Sequence, residues 1–477
     1  MKTIKYFLLA ALLLGVATAT KAQDSESKAT IESVKKLVKD NPADLDDQIK
    51  AIYKKNKKNA DVLVGIGRAY YEVEDTAHAK EYANYALKAN KSSAPAFILL
   101  GDIEALGSDG GSAAMQYQQA IYFDPKNPEP YVKYASVYRK VSPSEAVAKL
   151  DELRAQRPDI AVDALAGHIY YSSNEFDKAA TSFAKVDKAK LEERDLTEYA
   201  MALYFQAKYA ESLEIAKYGL SKLPRDAAYN RLAFFNNTDL GNFPVALQYA
   251  DALFNKSDSA KLSYFDYTYY GNALIGNKQF EEAIAAFNTA LGMEFDNQDK
   301  KAGVIKQLSE GYKAMSDYPK AIEAYRDYMK TISKVSGTDY VGLGQLYLYW
   351  AGEDTIVESQ QQHLRDAEVV YNEMEEKMPE FEEYTVYKKA QVNAMLDPET
   401  TEGLAKPYYE KLAGMLEPKE TKDGTDKVRL IESYRYLGYY YLVKDDKENS
   451  DLYWNKVLEL DPDNLHAKQV LGLVEVE

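Results

Sequence analysis

Apolar side chains recur along this chain at the three- and four-residue spacing of amphipathic helices. The stretch 267–295 shows the pattern most clearly: Gly271 lies on the apolar face of one predicted helix, and Ala283 and Phe287 lie on that of the next. Between them, residues 276–277 are glycine and asparagine, which interrupt the helical pattern and predict a tight turn. The sequence contains no strand-like alternation long enough to suggest a sheet. We therefore predict an all-α fold.

The same helix–turn–helix pattern repeats through the chain. Its clearest copy has Gly101 followed by Ala113, Tyr117, Ala120 and Pro125, at offsets of 12, 16, 19 and 24 residues. The small residue that begins the series in the other recognisable copies is Gly67, Ala135, Gly167, Ala200, Ala233, Gly271, Ser309, Gly344 or Gly438. Because two such helices cannot bury their apolar faces alone, the copies are expected to stack into one continuous core.

Two copies near the C-terminal end depart from the pattern. Gly344 is followed by its matching alanine, Ala367, after 23 residues instead of 12, which predicts an insertion near 351–362. The next copy, at 384–412, fits least well, and a polar stretch at 417–427 separates it from the last copy.

These small and aromatic residues at fixed offsets resemble the tetratricopeptide repeat, a helix–turn–helix unit of 34 residues. The resemblance implies a right-handed α-solenoid of about eleven repeats over residues 61–464. We expect a polar lead-in and a helix pair at 23–60, with 23–30 disordered, and a capping helix at 465–477.

The N-terminus has the order of charged, apolar and small residues that is typical of a signal peptide. Lys2 and Lys5 precede the apolar run at 7–17, and cleavage is predicted after Ala22. This interpretation predicts export to the periplasm, with secretion, outer-membrane association and an uncleaved N-terminal anchor as alternatives. No later segment is long and apolar enough to span a bilayer.

Composition narrows the classes of partner and chemistry. The chain has 477 residues and a net charge of -16, which argues against non-specific binding of nucleic acid. It has no cysteine, which excludes disulfides, thiolate metal sites and a cysteine nucleophile. Its 41 tyrosines favour half-buried contacts with a polar edge.

Residues that could carry catalysis are scattered. The histidines His78, His168, His363 and His466 lie far apart, and none has a zinc-ligand partner at helical spacing. The glycine-rich segment 108–111 lacks the lysine of a phosphate-binding loop. We therefore predict a protein that is not an enzyme and needs no cofactor or metal; an enzyme site hidden in the two inserts is the alternative.

The resemblance also implies where ligands bind. In this family the first helices of successive repeats line the concave surface, and the positions around the small residue point into it. Transferred by register, the candidate ligand-binding residues are Arg139, His168, Tyr171, Met201, Tyr204, Phe234, Asn237, Thr268 and Asn272. The competing interpretation is that these side chains only fill contacts between repeats.

The functional prediction is a periplasmic scaffold or adaptor that binds protein or peptide partners in an envelope-associated complex. The alternative is a glycan-binding protein of polysaccharide export or uptake, because aromatic rings and amides on the same surface also suit sugars. Some tetratricopeptide repeat domains hold a peptide's terminal carboxylate with a lysine one turn before an asparagine. No repeat of this chain has that pair.

Overall fold

The computed structural model describes residues 23–474, and all of their helical segments are joined by short turns without any strand. The predicted leader at 1–22 lies outside the described residues. The α-helices of this range are α1 (Gln23–Asp40), α2 (Leu45–Asn56), α3 (Ala60–Glu72), α4 (Thr76–Ala89), α5 (Ala94–Leu106), α6 (Gly110–Phe123), α7 (Pro128–Tyr138), α8 (Pro143–Gln156), α9 (Val162–Ser172), α10 (Phe176–Phe183), α11 (Glu193–Phe205), α12 (Tyr209–Lys222), α13 (Ala227–Asp239), α14 (Phe243–Asp251), α15 (Tyr264–Gly276), α16 (Phe280–Leu291), α17 (Gln298–Ala314), α18 (Tyr318–Thr331), α19 (Gly337–Glu353), α20 (Val357–Lys377), α21 (Glu382–Leu396), α22 (Lys406–Leu416), α23 (Gly424–Val443), α24 (Lys447–Leu460) and α25 (Leu465–Val470). The pairs from α3–α4 to α23–α24 are the eleven repeats, so the all-α, repeating architecture is confirmed.

The chain divides into two compact units, the first ending at Asn236 and the second beginning at Asn237. In the first unit, α3 packs on α4, α5 on α6, α9 on α10 and α11 on α12, and each pair also packs on the next. In the second unit, the pairs α15–α16, α17–α18, α19–α20 and α23–α24 are formed in the same way. First helices also contact each other directly, as α9 does α11 and α15 does α17. We call α9 and α11 and their counterparts in other pairs the first helices.

Close contact between the two helices of a pair explains the small residue of the sequence pattern. A Cβ atom added to Gly271 would lie 2.4 Å from the ring of Phe287, and one added to Gly101 would lie 2.4 Å from the ring of Tyr117. In both pairs the aromatic ring follows the glycine by 16 residues and is almost fully buried. The offset of 16 in the sequence is therefore a packing contact in the structure.

The turn between paired helices holds one residue in the left-handed region of the backbone. In seven pairs it comes seven residues after the small residue, at Glu74, Ser108, Asn174, Ala207, Lys278, Ser316 and Asp445, with φ between 56° and 65°. In the pair α13–α14 the position is one residue later and is taken by Gly241, at φ 74°. The backbone turn thus repeats even though its residue type does not.

The insertion near 351–362 and the polar stretch at 417–427 are both partly helical. The extra residues near 351–362 lengthen α19 and α20, so that only Asp354, Thr355 and Ile356 lie between these helices. Of the stretch 417–427, the last four residues form the first turn of α23. The expectation of disorder at 23–30 is wrong, because α1 begins at Gln23 and packs against α3. Between residues 23 and 474, no helix has both the length and the apolarity needed to cross a bilayer.

Candidate ligand-binding site on the first helices

A pocket of about 560 Å³ opens between the first helices α9 and α11 of the first unit. Tyr171 contributes one wall from the C-terminal end of α9, and the first turns of α11 contribute the rest. The lining residues are Tyr171, Glu192, Glu193, Arg194, Thr197 and Glu198. We call this the α9–α11 pocket.

A triad of charged and ring groups links the pocket to α9, with Arg194 and Glu198 in the lining and His168 beside it. His168 on α9 approaches Glu198 on α11, with Nδ1 at 2.8 Å from Oε2. Arg194 donates from Nε to Oε1 of Glu198 at 2.9 Å and places Nη2 at 2.7 Å from Nε2 of His168. Nη2 of Arg194 also lies 2.8 Å from Nδ1 of the same ring, so it is about equally close to both imidazole nitrogens. Glu198 is only 8% exposed, so the triad fixes a buried carboxylate between two donors.

Negative charge is in excess around the first turn of α11. Burial, together with the nearby carboxylates of Glu192 and Glu198, raises the pKa of Asp195 above its ordinary value. Asp195 itself accepts a hydrogen bond from the backbone N–H of Glu192 at 3.1 Å, which closes the N-terminus of the helix. On the opposite wall, burial and the charge of Glu198 raise the pKa of Tyr171. The pocket therefore combines an acidic rim with a neutral aromatic wall.

An aromatic ridge continues from the pocket along the turns of the two hairpins. The ring of Tyr171 lies 5.7 Å from that of Phe176, and Phe176 lies 4.6 Å from Phe205. Tyr204 follows at 5.9 Å from Phe205. Phe205 is 52% exposed, so the ridge presents apolar surface beside a charged pocket.

Five of the predicted site residues lie in this neighbourhood. His168 and Tyr171 belong to α9, and Met201 accepts a hydrogen bond at its Sδ atom from the hydroxyl of Tyr171 at 3.3 Å. Tyr204 lies on the ridge. Arg139, at the end of α7, shares with His168 the lining of a small cavity of about 20 Å³.

The other four predicted residues are elsewhere. Phe234 is 0% exposed and Asn237 is 2% exposed, so burial keeps both from forming an open binding surface. Thr268 and Asn272 lie on α15 in the second unit, where the hydroxyl of Thr268 donates to the carbonyl oxygen of Tyr264 at 2.7 Å.

Sequence reasoning missed most of the acidic lining. Glu192 and Glu193 lie at the beginning of α11, before the positions that were transferred by register. Arg194 and Thr197 precede Met201 by seven and four residues, which is two turns and one turn back on the same face of the helix. A register that followed the whole first helix, instead of two positions per repeat, would have found these two.

A polar cluster on α21 and α23 in the second unit differs from the pocket in being internally satisfied. The carboxylate of Glu432 accepts from the hydroxyls of Tyr387 and Tyr409 at 2.8 Å and from the amide of Gln391 at 3.2 Å. Burial and this carboxylate raise the pKa of Tyr387 to about 12. Since these groups satisfy one another, the cluster is better suited to holding α21 and α23 together than to binding a ligand.

The insert region brings a serine, a histidine and an aspartate together, which the sequence did not reveal. Nε2 of His363 lies 3.1 Å from both Oγ of Ser359 and Oδ2 of Asp354, while its Nδ1 is buried without a partner. In a hydrolytic triad the serine and the aspartate bond to opposite ring nitrogens. Here both share one nitrogen, so the cluster ties the corner between α19 and α20 and does not form a relay.

Within residues 23–474, no group of three or more histidine, aspartate or glutamate side chains is arranged to hold a metal ion. The α9–α11 pocket, with its adjoining ridge, is therefore the strongest candidate binding site in the described part of the chain.

Comparisons with known proteins give one sequence-family match: residues 267–297 match the model of the tetratricopeptide repeat. A comparison with curated proteins found no match. Among solved structures, the chain is similar to the C-terminal part of a tetratricopeptide repeat-containing protein from Cytophaga hutchinsonii, at 25% identity and a TM-score of 0.47 over 58% of this chain and 99% of that one. It is also similar to a tetratricopeptide repeat protein from Parabacteroides merdae, at 19% identity and a TM-score of 0.35 over 53% of this chain and 98% of that one.

The matched segment coincides with the hairpin α15–α16, whose glycine-to-aromatic contact and left-handed turn recur in other pairs of the chain. Residues 267–297 are therefore a tetratricopeptide repeat, and other helix pairs of the chain repeat its glycine-to-aromatic contact and its left-handed turn.

Proposed function

We propose that this protein is a non-enzymatic scaffold that binds protein or peptide partners on the first-helix face of its N-terminal unit, and that it does so in the periplasm as part of an envelope-associated complex. The observation that carries the binding proposal is the pocket of about 560 Å³ between α9 and α11. Its volume lies within the range of about 300–1,000 Å³ that is usual for ligand sites.

A peptide suits this site because the pocket offers contacts of two kinds side by side. Carboxylates and the hydroxyl of Thr197 line the pocket, while Phe176 and Phe205 form an apolar ridge next to it. Alternate side chains of an extended peptide point to the same side, so a polar and an apolar side chain two positions apart can contact both surfaces at once. Repeat arrays also present such first-helix surfaces as their usual sites of protein binding.

The proposal that the protein acts without catalysis is supported by the chemistry of its two most suggestive clusters. Glu198 is held by His168 and Arg194, and no nucleophile lies among the partners recorded for that carboxylate. The Ser359–His363–Asp354 cluster lacks the relay arrangement.

Site-specific photocrosslinking in growing cells tests the binding proposal. A benzophenone amino acid at Tyr171 is expected to capture a protein, whereas the same group at Tyr122, which is 75% exposed on the second helix α6, is expected to capture little. Equal capture from both positions, or none from Tyr171, would reject the first-helix face as the binding surface.

The periplasmic location is supported by the charged, apolar and small-residue order of 1–22. Osmotic shock of cells that express the full chain, followed by mass spectrometry of its N-terminus, tests it. The expected result is release of a chain that begins at Gln23. Recovery with the outer membrane would favour membrane association, and an uncleaved chain in the cytoplasm would disprove the location without bearing on the binding surface.

Glycan binding remains the second candidate because the exposed rings of the ridge could stack on sugars. Calorimetric titration with envelope saccharides distinguishes the two. Binding that is lost in both Tyr171→Ala and Tyr204→Ala would replace the peptide proposal, and absence of any saccharide heat would remove the glycan from consideration.

A further inference from the structure

We infer that the α9–α11 pocket receives a cationic side chain, lysine or arginine, from a partner segment whose next apolar side chain lies on the ridge of Phe176 and Phe205. This inference rests on the proposed function and specifies the chemistry of the partner at the same site. Three features of the site support it: the charge of the pocket, the wall formed by Tyr171, and the apolar ridge next to the pocket.

The charge of the pocket is set by three carboxylates and one guanidinium. Glu192, Glu193 and Glu198 line it, and Arg194 is its single lining cation. Arg194 is already committed to Glu198 and His168 at 2.9 and 2.7 Å. For the carboxylate of Glu193 the structure records no hydrogen bond or ion pair among the described residues. A cation is therefore what the rim can still accommodate.

Burial is the main cause of the raised pKa of Asp195, and repulsion from the charges of Glu192 and Glu198 adds to it. The backbone hydrogen bond from Glu192 and the charge of His168 lower that pKa. A bound cation would relieve this repulsion, while a bound anion would add to it. An acidic partner is therefore disfavoured, in spite of the arginine at the pocket.

The wall of the pocket suits a cation as well as its rim does. Tyr171 lines the pocket together with the carboxylates, and a lysine or arginine over an aromatic face gains attraction from the ring electrons. Burial already favours the neutral phenol, so this wall adds no charge of its own.

The ridge determines which kind of partner side chain can lie next to the bound cation. Phe176 and Phe205 are 4.6 Å apart at their centroids, and Phe205 is half exposed. Tyr171 touches both surfaces, since it lines the pocket and lies 5.7 Å from Phe176. A cationic residue with leucine or phenylalanine two positions further on would cover the ridge and fill the pocket together, because alternate side chains of an extended peptide lie on the same side.

Immobilised heptapeptides provide the test. The central residue is lysine, arginine, glutamine or glutamate, the residue two positions further on is leucine or serine, and the remaining positions are glycine and serine. The full chain should bind the lysine–leucine and arginine–leucine peptides about two- to fivefold better than the glutamine–leucine peptide, the usual effect of an ion pair with an exposed carboxylate such as that of Glu193. Serine in place of leucine should weaken binding, and added salt should reduce the preference for the cation.

A matched pair of variants locates the effect. Glu193→Gln should reduce the preference for lysine over glutamine, whereas Glu214→Gln, an exposed glutamate on the second helix α12 of the same hairpin, should leave it unchanged. Thermal melting of both variants checks that the fold is kept.

The outcomes separate this inference from the proposed function. Capture of a protein from Tyr171 without any lysine or arginine preference on the peptides, or with equal binding of the glutamate peptide, overturns the cation inference and leaves the binding surface in place. Failure of the Tyr171 crosslink removes the surface itself. A lysine preference that survives Glu193→Gln also overturns the inference, because the cation would then bind elsewhere.

Discussion

Asp195 and Asp426 occupy the same position in two first helices and experience opposite electrostatic environments. Each is the third residue of its helix and accepts from the backbone N–H of the residue that precedes the helix. Burial and the carboxylates of Glu192 and Glu198 raise the pKa of Asp195. A hydrogen bond from Lys419 lowers the pKa of Asp426. One helix-capping position is thus strained by like charge and the other is supported by a cation.

The two aspartates should give opposite pH dependences of stability. Because the folded state of the chain raises the pKa of Asp195, this group stabilises the fold at low pH and loses that contribution as pH rises from about 3.9 through the raised value. The thermal midpoint of Asp195→Asn should therefore improve relative to the parent as pH rises from 4 to 7. The thermal midpoint of Asp426→Asn should fall relative to that of the parent as pH rises from below about 3.9. A group whose pKa is lowered by folding stabilises the folded state above the pKa that it has in the unfolded chain. Parallel curves for the two variants would contradict these assignments.

The candidate site shows what a single sequence can say about individual residues. Tyr171, Met201 and Tyr204 were predicted from repeat register, which fixes which way a helical side chain points. Tyr171 lines the pocket, Met201 accepts its hydrogen bond, and Tyr204 lies on the adjoining ridge. Phe234 has the equivalent register but is fully buried, and that depends on neighbouring packing that the register does not contain. The binding role of all nine predicted residues stays a prediction.

Paired helices pack through a glycine at the point of closest approach, and the chain offers a matched control for this contact. Gly271→Ala should lower stability by about 1–3 kcal/mol, because its Cβ would overlap the ring of Phe287. Gly303→Ala, on the exposed face of α17 with nothing within 4 Å of the new Cβ, should raise stability by up to about 1 kcal/mol through better helix propensity. Denaturant unfolding of both variants measures the difference. Stabilisation by both would disprove the close contact.

The turn between paired helices makes a second test possible. Ala207 has φ 56°, a region that costs a residue with a Cβ roughly 1–2 kcal/mol. Ala207→Gly should therefore stabilise the chain by up to about 1 kcal/mol. Ala285→Gly, on the exposed face of α16 in regular helix, should instead cost about 1 kcal/mol. Thermal midpoints that fall in both variants would show that the turn relaxes without its left-handed residue.

The elements divide into those that sequence patterns specify and those that packing decides. The offset of 16 between Gly271 and Phe287 is visible in the sequence as a small residue and an aromatic residue, but the structure was needed to show that the two are in contact within one pair. The left-handed turn was missed because Glu74, Ala207 and Lys278 carry no glycine signal there. The extra residues near 351–362 were taken for a loop, yet they extend α19 and α20, since a polar helix face without apolar periodicity is indistinguishable from a loop in one sequence.

At the scale of the array, each helix pair in the described part of the chain packs mainly on its neighbours along the sequence. Within the second unit, α15 packs on α14, α16 and α17, while α23 packs on α22 and α24. Stability in such an array is the sum of repeat terms and nearest-neighbour interfaces, so damage to one pair should remain local. The pairs α15–α16 and α23–α24 each bury a contact between a glycine and an aromatic ring. The same kind of contact can therefore be disrupted at two places within one unit.

Hydrogen exchange of Gly271→Ala and Gly438→Ala tests this locality. A Cβ at Gly438 would lie 2.8 Å from Nε1 of Trp454, as one at Gly271 would overlap Phe287. Gly271→Ala should accelerate amide exchange in α14–α17 by about tenfold or more, the factor that corresponds to a loss of 1–3 kcal/mol, and leave α23–α24 unchanged. Gly438→Ala should give the mirror result, with faster exchange in α22–α25 and none in α15–α16. Because both glycines lie in the same unit, uniform acceleration across it in either variant would mean that the unit unfolds as one cooperative block, and the nearest-neighbour description would then be wrong.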